Sequence, residues 1–264
     1  CFTEEDMETR FFSDEAFAGR SVLISGGTSG IGLAAAELFL AGGARVALMG
    51  RDVERGARAL AVLAAGARAH FVQGDVRLRA DCAQAVQETQ RTCGGIDVLV
   101  NSAGIYREGA LDDLTEGMLE ELIATNVKGT FYLTQAALPY LRVSHGNIVN
   151  VASDAGVHGN YFCAAYAAAK GAVVAFTRSL ALELACDSVR VNAVAPADVL
   201  TPLTERQFTP HLPREEQLRA MAAHYPMGRI GTPAEAASVI AFLASSAASW
   251  VTGSTYCVDG GLTA

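Results

Sequence analysis

The sequence predicts an α/β fold: one doubly wound domain with a seven-stranded parallel sheet and helices on both faces. Three observations lead there. Short β-rich runs alternate with longer helical ones along nearly the whole chain. A glycine-rich turn directly follows the first strand and opens into a helix. No Pro-, Gly- or Ser-rich linker divides the 264 residues, and no unit repeats at a fixed period. Such alternation implies right-handed crossovers, which lay parallel strands in one sheet between two helical layers.

Strands are expected at 22–25, 45–49, 69–72, 98–101, 147–151, 189–194 and 255–258, where aliphatic and β-branched residues cluster. Helices are expected at 31–41, 53–65, 78–92, 115–141, 163–186 and 234–246. Asp52 is placed to cap the second of these. The domain spans 20–264, preceded by an extension at 1–19 that carries Phe11-Phe12 and Phe17. That extension has no cationic start and no apolar run, so it does not read as a signal peptide. Residues 200–231 are the least regular stretch, with Pro202, Pro210, Pro213 and Pro226 around a helical piece at 214–224. A segment of that kind in a compact domain is a lid or binding loop.

Composition narrows the function. The chain is 51% apolar with a net charge of −8, from 20 basic and 28 acidic residues. It has no basic stripe, which argues against nucleic acid or an anionic membrane as partner. No uninterrupted apolar run reaches transmembrane length. The six cysteines are scattered without a CxxC pair, and the five histidines are dispersed, so no metal site is expected. Idle thiols of this kind fit a reducing cytoplasm.

After the first strand comes Ser25-Gly26-Gly27-Thr28-Ser29-Gly30-Ile31-Gly32. Glycines there permit a tight turn and close backbone approach to a pyrophosphate seated on the helix N-terminus. In the doubly wound order the first and fourth strands are neighbours, and ligands enter the crevice at their C-terminal ends. The fourth strand ends Asn101-Ser102-Ala103-Gly104, whose small residues leave room beside the first loop.

Tyr166 and Lys170 lie in the run Ala164-Ala165-Tyr166-Ala167-Ala168-Ala169-Lys170, which has no helix breaker before Gly171. Positions i and i+4 share a helix face. An ammonium held ~5–6 Å from the phenol, at an effective dielectric of ~20, would favour phenolate by ~3 kcal/mol, or ~2 pK units. The expectation is therefore a phenol acidic enough for proton transfer near neutral pH.

These features, in this order, resemble a classical short-chain dehydrogenase/reductase from about residue 19 to residue 264. The resemblance rests on the Gly26/Gly30/Gly32 loop, Asp75, Asn101-Ser102-Ala103-Gly104, Asn126, Ser153, Tyr166-x-x-x-Lys170, Pro196 with Thr201, and Val258-Asp259-Gly260-Gly261. Departures are Ser25 for the usual Thr, Ser102 for Asn, and Ala197 for the Gly after Pro196, the last expected to stiffen its loop.

The resemblance implies a single Rossmann-type domain and a tetrad of Asn126, Ser153, Tyr166 and Lys170. Tyr166 would be the acid/base, Ser153 would hold the substrate oxygen, and Lys170 would also bind the nicotinamide ribose. Asn126 would hold a relay water. Cofactor contacts would come from Gly26, Thr28, Ser29, Gly30, Ile31, Gly32, Arg51, Asp75, Val76, Asn101, Ala103, Gly104, Pro196, Val199 and Thr201, with Tyr166 and Lys170. Substrate contacts would come from Ser153, Asp154, Tyr161 and Tyr166, with Tyr106, Phe162, His158 and Asn160 near them.

The second strand ends Met49-Gly50-Arg51-Asp52, offering a guanidinium and no carboxylate at position 50. NADP(H) is therefore expected over NAD(H), although Arg51 could also be a solvated side chain ahead of the Asp52 cap. The expected substrate is a small or medium alcohol or ketone with polar groups. Two competing readings remain. One is a 3-oxoacyl-carrier-protein reductase, disfavoured by Leu182 where those enzymes commonly carry Arg. The other is a non-catalytic dinucleotide-binding redox sensor, disfavoured by the filled tetrad. By analogy the protein would be a homotetramer packed through the long helices and the C-terminal strand.

Overall fold

The computed structural model describes residues 13–264. Phe11-Phe12 of the extension lie outside the described residues. The strands are β1 (Ser21–Ser25), β2 (Arg45–Gly50), β3 (Ala69–Gln73), β4 (Val98–Asn101), β5 (Asn147–Val151), β6 (Arg190–Pro196) and β7 (Thr255–Val258). All seven pair in parallel in the order β3-β2-β1-β4-β5-β6-β7. This is a doubly wound Rossmann-type sheet. The order reverses at β1, so the crevice opens between β1 and β4.

The helices are α1 (Gly30–Ala41), α2 (Val53–Leu63), α3 (Arg79–Cys93), α4 (Glu116–Leu122), α5 (Gly129–Ser144), α6 (Ala164–Leu184), α7 (Pro202–Glu205), α8 (Arg214–Ala222) and α9 (Pro233–Ala244). β1 is buried along its whole length, as a central parallel strand must be. Its alternate residues feed two cores. Val22 and Ile24 pack with Ala35, Phe39 and Ile240 on one face. Leu23 packs with Val86, Leu133, Leu141 and Leu180 on the other.

Two expectations are corrected. The helix expected at 115–141 is not continuous: α4 and α5 are joined by a π-helical stretch, Ile123–Lys128. Widening the helix there accompanies the turn of Asn126 toward the backbone of Ile105, where its amide both accepts and donates at 2.9 Å. The sixth strand runs on to Pro196, because its last four residues pair with β7. Pro196 stands at the strand end, where a missing N–H costs the ladder little.

Segment 200–231 is closed at its neck. Val199 and Gly231 form an isolated parallel bridge, with Leu200 N donating to Gly231 O and Gly231 N to Asp198 O. Tyr225 Oη donates to Asp198 Oδ2 at 2.7 Å, tying the far side of the loop to the strand end.

Of the predicted extension, residues 13–19 form turns against the body. Phe17 is buried, packs edge-on against Phe39 with centroids 4.8 Å apart, and donates its N–H to Gly42 O at 2.7 Å. Phe17→Ala is expected to destabilise the protein by about 3 kcal/mol. Chemical denaturation checks this, and an unchanged midpoint would show that the contact contributes nothing.

Candidate active site

The C-terminal ends of β1, β2, β4, β5 and β6 surround a cleft of about 640 Å³. Its first wall is the β1–α1 turn, with Gly26, Thr28, Ser29, Gly30 and Ile31 facing the cavity. Gly26 has φ +66°, and a Cβ on it would stand 2.8 Å from Ala103 Cα. Only glycine serves there. Gly32 is not on the cleft wall: it packs under the turn, where a Cβ would meet Gly26 O at 2.5 Å. Ser25, in place of the family's Thr, still joins the two strand ends by accepting from Ala103 N at 3.3 Å.

The residues present fit a dinucleotide. Helix α1 begins at Ser29 with no side-chain cap and no acidic residue in its first turn. Its leading N–H groups and dipole are therefore available to an anion at the cleft wall. Arg51, Arg55, Asp75, Val76 and Arg206 also line the cavity. Asp75 is held by Arg77 through a 2.6 Å contact, and Arg51 Nη1 lies 3.9 Å from the same carboxylate. These contacts leave its pKa below the ordinary value even though burial pushes the other way. Asp52 accepts from Arg55 N at 2.9 Å as the cap of α2.

The other end of the cleft gathers Ser153, Tyr166 and Lys170, with Ala103, Gly104, Pro196, Val199 and Thr201 between. Asn101 lies behind the cleft, donating to Thr134 Oγ1 at 3.0 Å and Asn150 Oδ1 at 2.8 Å. Asn126 also stands behind, near Lys170. A side chain at Gly104 would approach Asn126 Oδ1 to 3.3 Å and Lys170 Nζ to 3.4 Å. Ala197 carries no positive φ, so the alanine introduces no left-handed strain.

Tyr166 is 8% exposed and Lys170 5%. Lys170 Nζ lies 6.0 Å from the Tyr166 ring centroid and donates to Val151 O at 2.8 Å. The expectation that this ammonium makes the phenol unusually acidic is corrected for the cofactor-free protein. Burial pushes Tyr166 above its ordinary value, Asp154, Cys163 and Asp198 act the same way, and a hydrogen bond with Ser153 opposes them. Loss of hydration on a fully enclosed phenolate outweighs a cation at that distance. Burial also lowers Lys170 to about 8.

Around the phenol, Tyr106 packs edge-on with centroids 4.9 Å apart and approaches Cys163 Sγ to 3.2 Å. Asp154 is buried and accepts from Ser153 Oγ at 2.8 Å and Asn160 Nδ2 at 3.0 Å. Tyr161, expected at the substrate, is 92% exposed and outside the cleft wall. Phe162 lines a separate cavity of about 220 Å³ with Arg107, Leu111, Leu114 and Met118. Among the described residues no His/Cys/Asp/Glu group is arranged to hold a metal ion, and no helix is long and apolar enough to cross a membrane.

Sequence reasoning missed Arg55, Arg206 and Asp198. Arg55 was readable as the third residue after the Asp52 cap, one turn along a helix whose start faces the crevice. Asp198 was visible between Pro196 and Thr201, but nothing local says that its carboxylate lies beside α6.

Comparison with known proteins agrees with this geometry. A family model described as enoyl-(acyl carrier protein) reductase matches residues 26–263. The chain belongs to the classical short-chain dehydrogenase/reductase family of oxidoreductases. It is 41% identical over 246 residues to 2-(S)-hydroxypropyl-CoM dehydrogenase 3 of Xanthobacter autotrophicus, covering 92% of this chain and 96% of that one. It is 38% identical over 247 residues to L-fucose dehydrogenase of Mus musculus, covering 93% and 89%. It is 40% identical over 247 residues to the 3-oxoacyl-[acyl-carrier-protein] reductase FabG of Thermotoga maritima, covering 92% and 98%. A crystal structure of a short-chain dehydrogenase/reductase from Brucella melitensis, titled glucose/ribitol dehydrogenase, superposes with TM-score 0.88 at 38% identity. It covers 95% of this chain and 99% of that one.

Burial of Lys170 has a cost that pH reveals. The folded value is about 8 against an ordinary 10.5, so between these the unfolded state binds more protons. Stability therefore rises with pH across that window, and the full penalty, about 3 kcal/mol, is present below pH 8. Losing the bond to Val151 O offsets about 1 kcal/mol. Lys170→Met is expected to stabilise the cofactor-free protein by about 2 kcal/mol at pH 7, with the advantage shrinking toward pH 10.5. Denaturation at both pH values checks this, and a less stable variant at pH 7 would refute it.

Proposed function

We propose that the protein transfers a hydride between NADP(H), in preference to NAD(H), and a small or medium alcohol or ketone, with Tyr166 as acid/base. The observation that carries this reading is one cleft. At one end are the uncapped start of α1 and the Arg51/Arg55 pair; at the other are Ser153, Tyr166 and Lys170. When bound, the nicotinamide cofactor supplies the hydride-exchanging ring and, in its oxidised form, a positive charge. The chain supplies the rest. Gly26–Ile31 would seat the pyrophosphate, Asp75 and Val76 the adenine side, and Lys170 the ribose. Tyr166 starts protonated because burial holds its proton, which suits it to donate to a carbonyl oxygen in reduction.

The NADP(H) preference rests on Gly50, which offers no carboxylate to ribose hydroxyls, and on the two guanidinium groups at that end. Asp52, whose charge is spent on capping α2, weakly opposes it. The substrate class rests on aromatic and polar groups around Tyr166 and on relatives named for 2-(S)-hydroxypropyl-CoM and L-fucose. A second reading, reduction of a carrier-bound 3-oxoacyl group, is favoured by the Thermotoga maritima relative. It is weakened by Leu182, which is exposed on α6 and offers an acidic carrier no cation. A homotetramer is part of the same proposal, supported by the exposed Phe131 stacked on Phe176 between α5 and α6, and by exposed Trp250 near β7. A cytoplasmic setting belongs to the same proposal, supported by the free cysteines among the described residues.

Two experiments test the proposal. Absorbance of the reduced nicotinamide is followed across alcohols, sugars and acetoacetyl-carrier protein. Turnover of an alcohol or sugar is expected, with Tyr166→Phe keeping cofactor affinity while losing at least about a hundredfold in kcat. Near-normal turnover by that variant would remove Tyr166 from the chemistry. In the second, kcat/KM is expected to favour NADPH over NADH, and Arg51→Ala to erode that preference about tenfold. A parent enzyme preferring NADH would overturn the cofactor assignment.

A further inference from the structure

Arg51 and Asp75 face the cleft, and Arg77 does not. All three nonetheless meet at one carboxylate. Asp75 Oδ1 accepts from Arg77 N and Nε at 3.0 Å each, and Oδ2 accepts from Nε at 2.9 Å and Nη2 at 2.6 Å. Arg51 Nη1 stands 3.9 Å from the same Oδ2, beyond hydrogen-bond distance. Among the described residues the Arg51 guanidinium makes no hydrogen bond, although its backbone carbonyl accepts from Gln73 Nε2 at 3.2 Å.

The other carboxylates near Arg51 are also held elsewhere. Asp52 accepts from Arg55 N, and Glu121 on α4 accepts from Arg107 Nη2 at 2.7 Å. The Asp75 carboxyl group is 14% exposed, against 37% for the Arg77 side chain and 59% for that of Arg51. A forked contact to a mostly enclosed carboxylate is stronger than an exposed ion pair. The backbone of Asp75 does not depend on it: Asp75 N donates to Asp81 Oδ2 at 2.8 Å, and Leu78 N to Asp75 O at 2.9 Å.

We propose that Arg77 is a positioning residue for recognition of the cofactor's 2′-phosphate: by neutralising Asp75, it leaves the Arg51 guanidinium free to pair with that phosphate. The proposal rests on the NADP(H) reading above and adds to it a residue that does not touch the cleft. Without Arg77, Asp75 keeps its charge in the cleft wall and Arg51 becomes the nearest cation to it. A shift of about 1 Å closes the gap between them into a hydrogen bond. A guanidinium engaged with a carboxylate has fewer N–H groups to offer a phosphate. The phosphate also meets a negative charge that nothing else balances. Both effects fall on the 2′-phosphate and spare the rest of the nucleotide.

The test measures binding of 2′,5′-ADP and 5′-AMP, which differ by the 2′-phosphate, to the cofactor-free full chain. Calorimetry at about 0.15 M salt gives the ratio of the two affinities. The parent is expected to bind 2′,5′-ADP more tightly. Arg77→Met and Arg77→Gln are each expected to cut that preference at least about fivefold, with 5′-AMP affinity held within about twofold. Arg77→Lys, which keeps the charge, is expected to stay within about twofold of the parent's preference. In an Asp75→Asn background there is no carboxylate to neutralise, and adding Arg77→Met is expected to leave the preference unchanged.

A parent-like preference in both truncated variants, or an equal fall of both affinities, would overturn the positioning role. So would a lysine variant that loses the preference. The same fall persisting beside Asp75→Asn would overturn it too, by showing that Arg77 acts on the phosphate directly. A parent that binds 2′,5′-ADP no more tightly than 5′-AMP would instead overturn the NADP(H) reading on which the role depends.

Discussion

A lysine ammonium and a phenol, both groups that water would hold at their ordinary protonation, are enclosed on one face of α6 where the parallel strands end. The rest of the site follows from that enclosure. Burial lowers Lys170 to about 8 and raises the Tyr166 phenol. Both groups are thereby pushed toward their uncharged forms. The ammonium is tolerated there because it donates to Val151 O, while Ser153 beside the phenol partly offsets the phenol's upward shift. A site of this kind is poised to answer the arrival of charge, since an ion entering the cleft acts on both buried groups.

Holding two such groups in register needs a stiff support, and the core supplies one in polar form. Asn101 on β4 donates to Asn150 on β5 and to Thr134 on α5, while Asn150 donates to Thr177 on α6. These bonds join both central strands to the two helices behind them. Thr177 lies two turns beyond Lys170 on the same helix, so the series fixes α6 against the sheet beneath the cleft. A buried network with its donors paired specifies one arrangement more sharply than an apolar contact that can slide.

Much of this was readable in the sequence because the deciding residues are neighbours along it. The alternation of elements gave the sheet, and the turn Gly26–Gly32 at the end of β1 located the crevice, since in this topology only the first βα turn meets the fourth strand. Ser153, Tyr166 and Lys170 converge on one cavity because two of them share a helix face and the third ends the adjoining strand. What escaped the sequence depends on three-dimensional surroundings. The direction of the Tyr166 shift turns on burial, which the i, i+4 spacing does not encode. The π-helical stretch at Asn126 depends on Ile105 being beside it. Tyr161 is expected in the pocket by resemblance, yet it projects into solvent. Asp198 bears on the phenol's charge from a strand end whose neighbouring segment folds back through the Val199–Gly231 bridge.

The placement of charge along the cleft gives the last constraint. Arg51, Arg55 and Arg206 line it, and the N-terminus of α1 adds partial positive charge to its wall. Around Tyr166 the sign reverses, with Asp154, Asp198 and Glu108 close together. A dinucleotide carries its pyrophosphate between its two nucleosides and its reactive ring at one end, which suits a glycine turn and helix N-terminus flanked by Arg51 and Arg55 on one hand and by Tyr166 and Lys170 on the other. A chain with net charge −8 thus sets three guanidinium groups on the cleft wall, which Asp52 and Asp75 share with them.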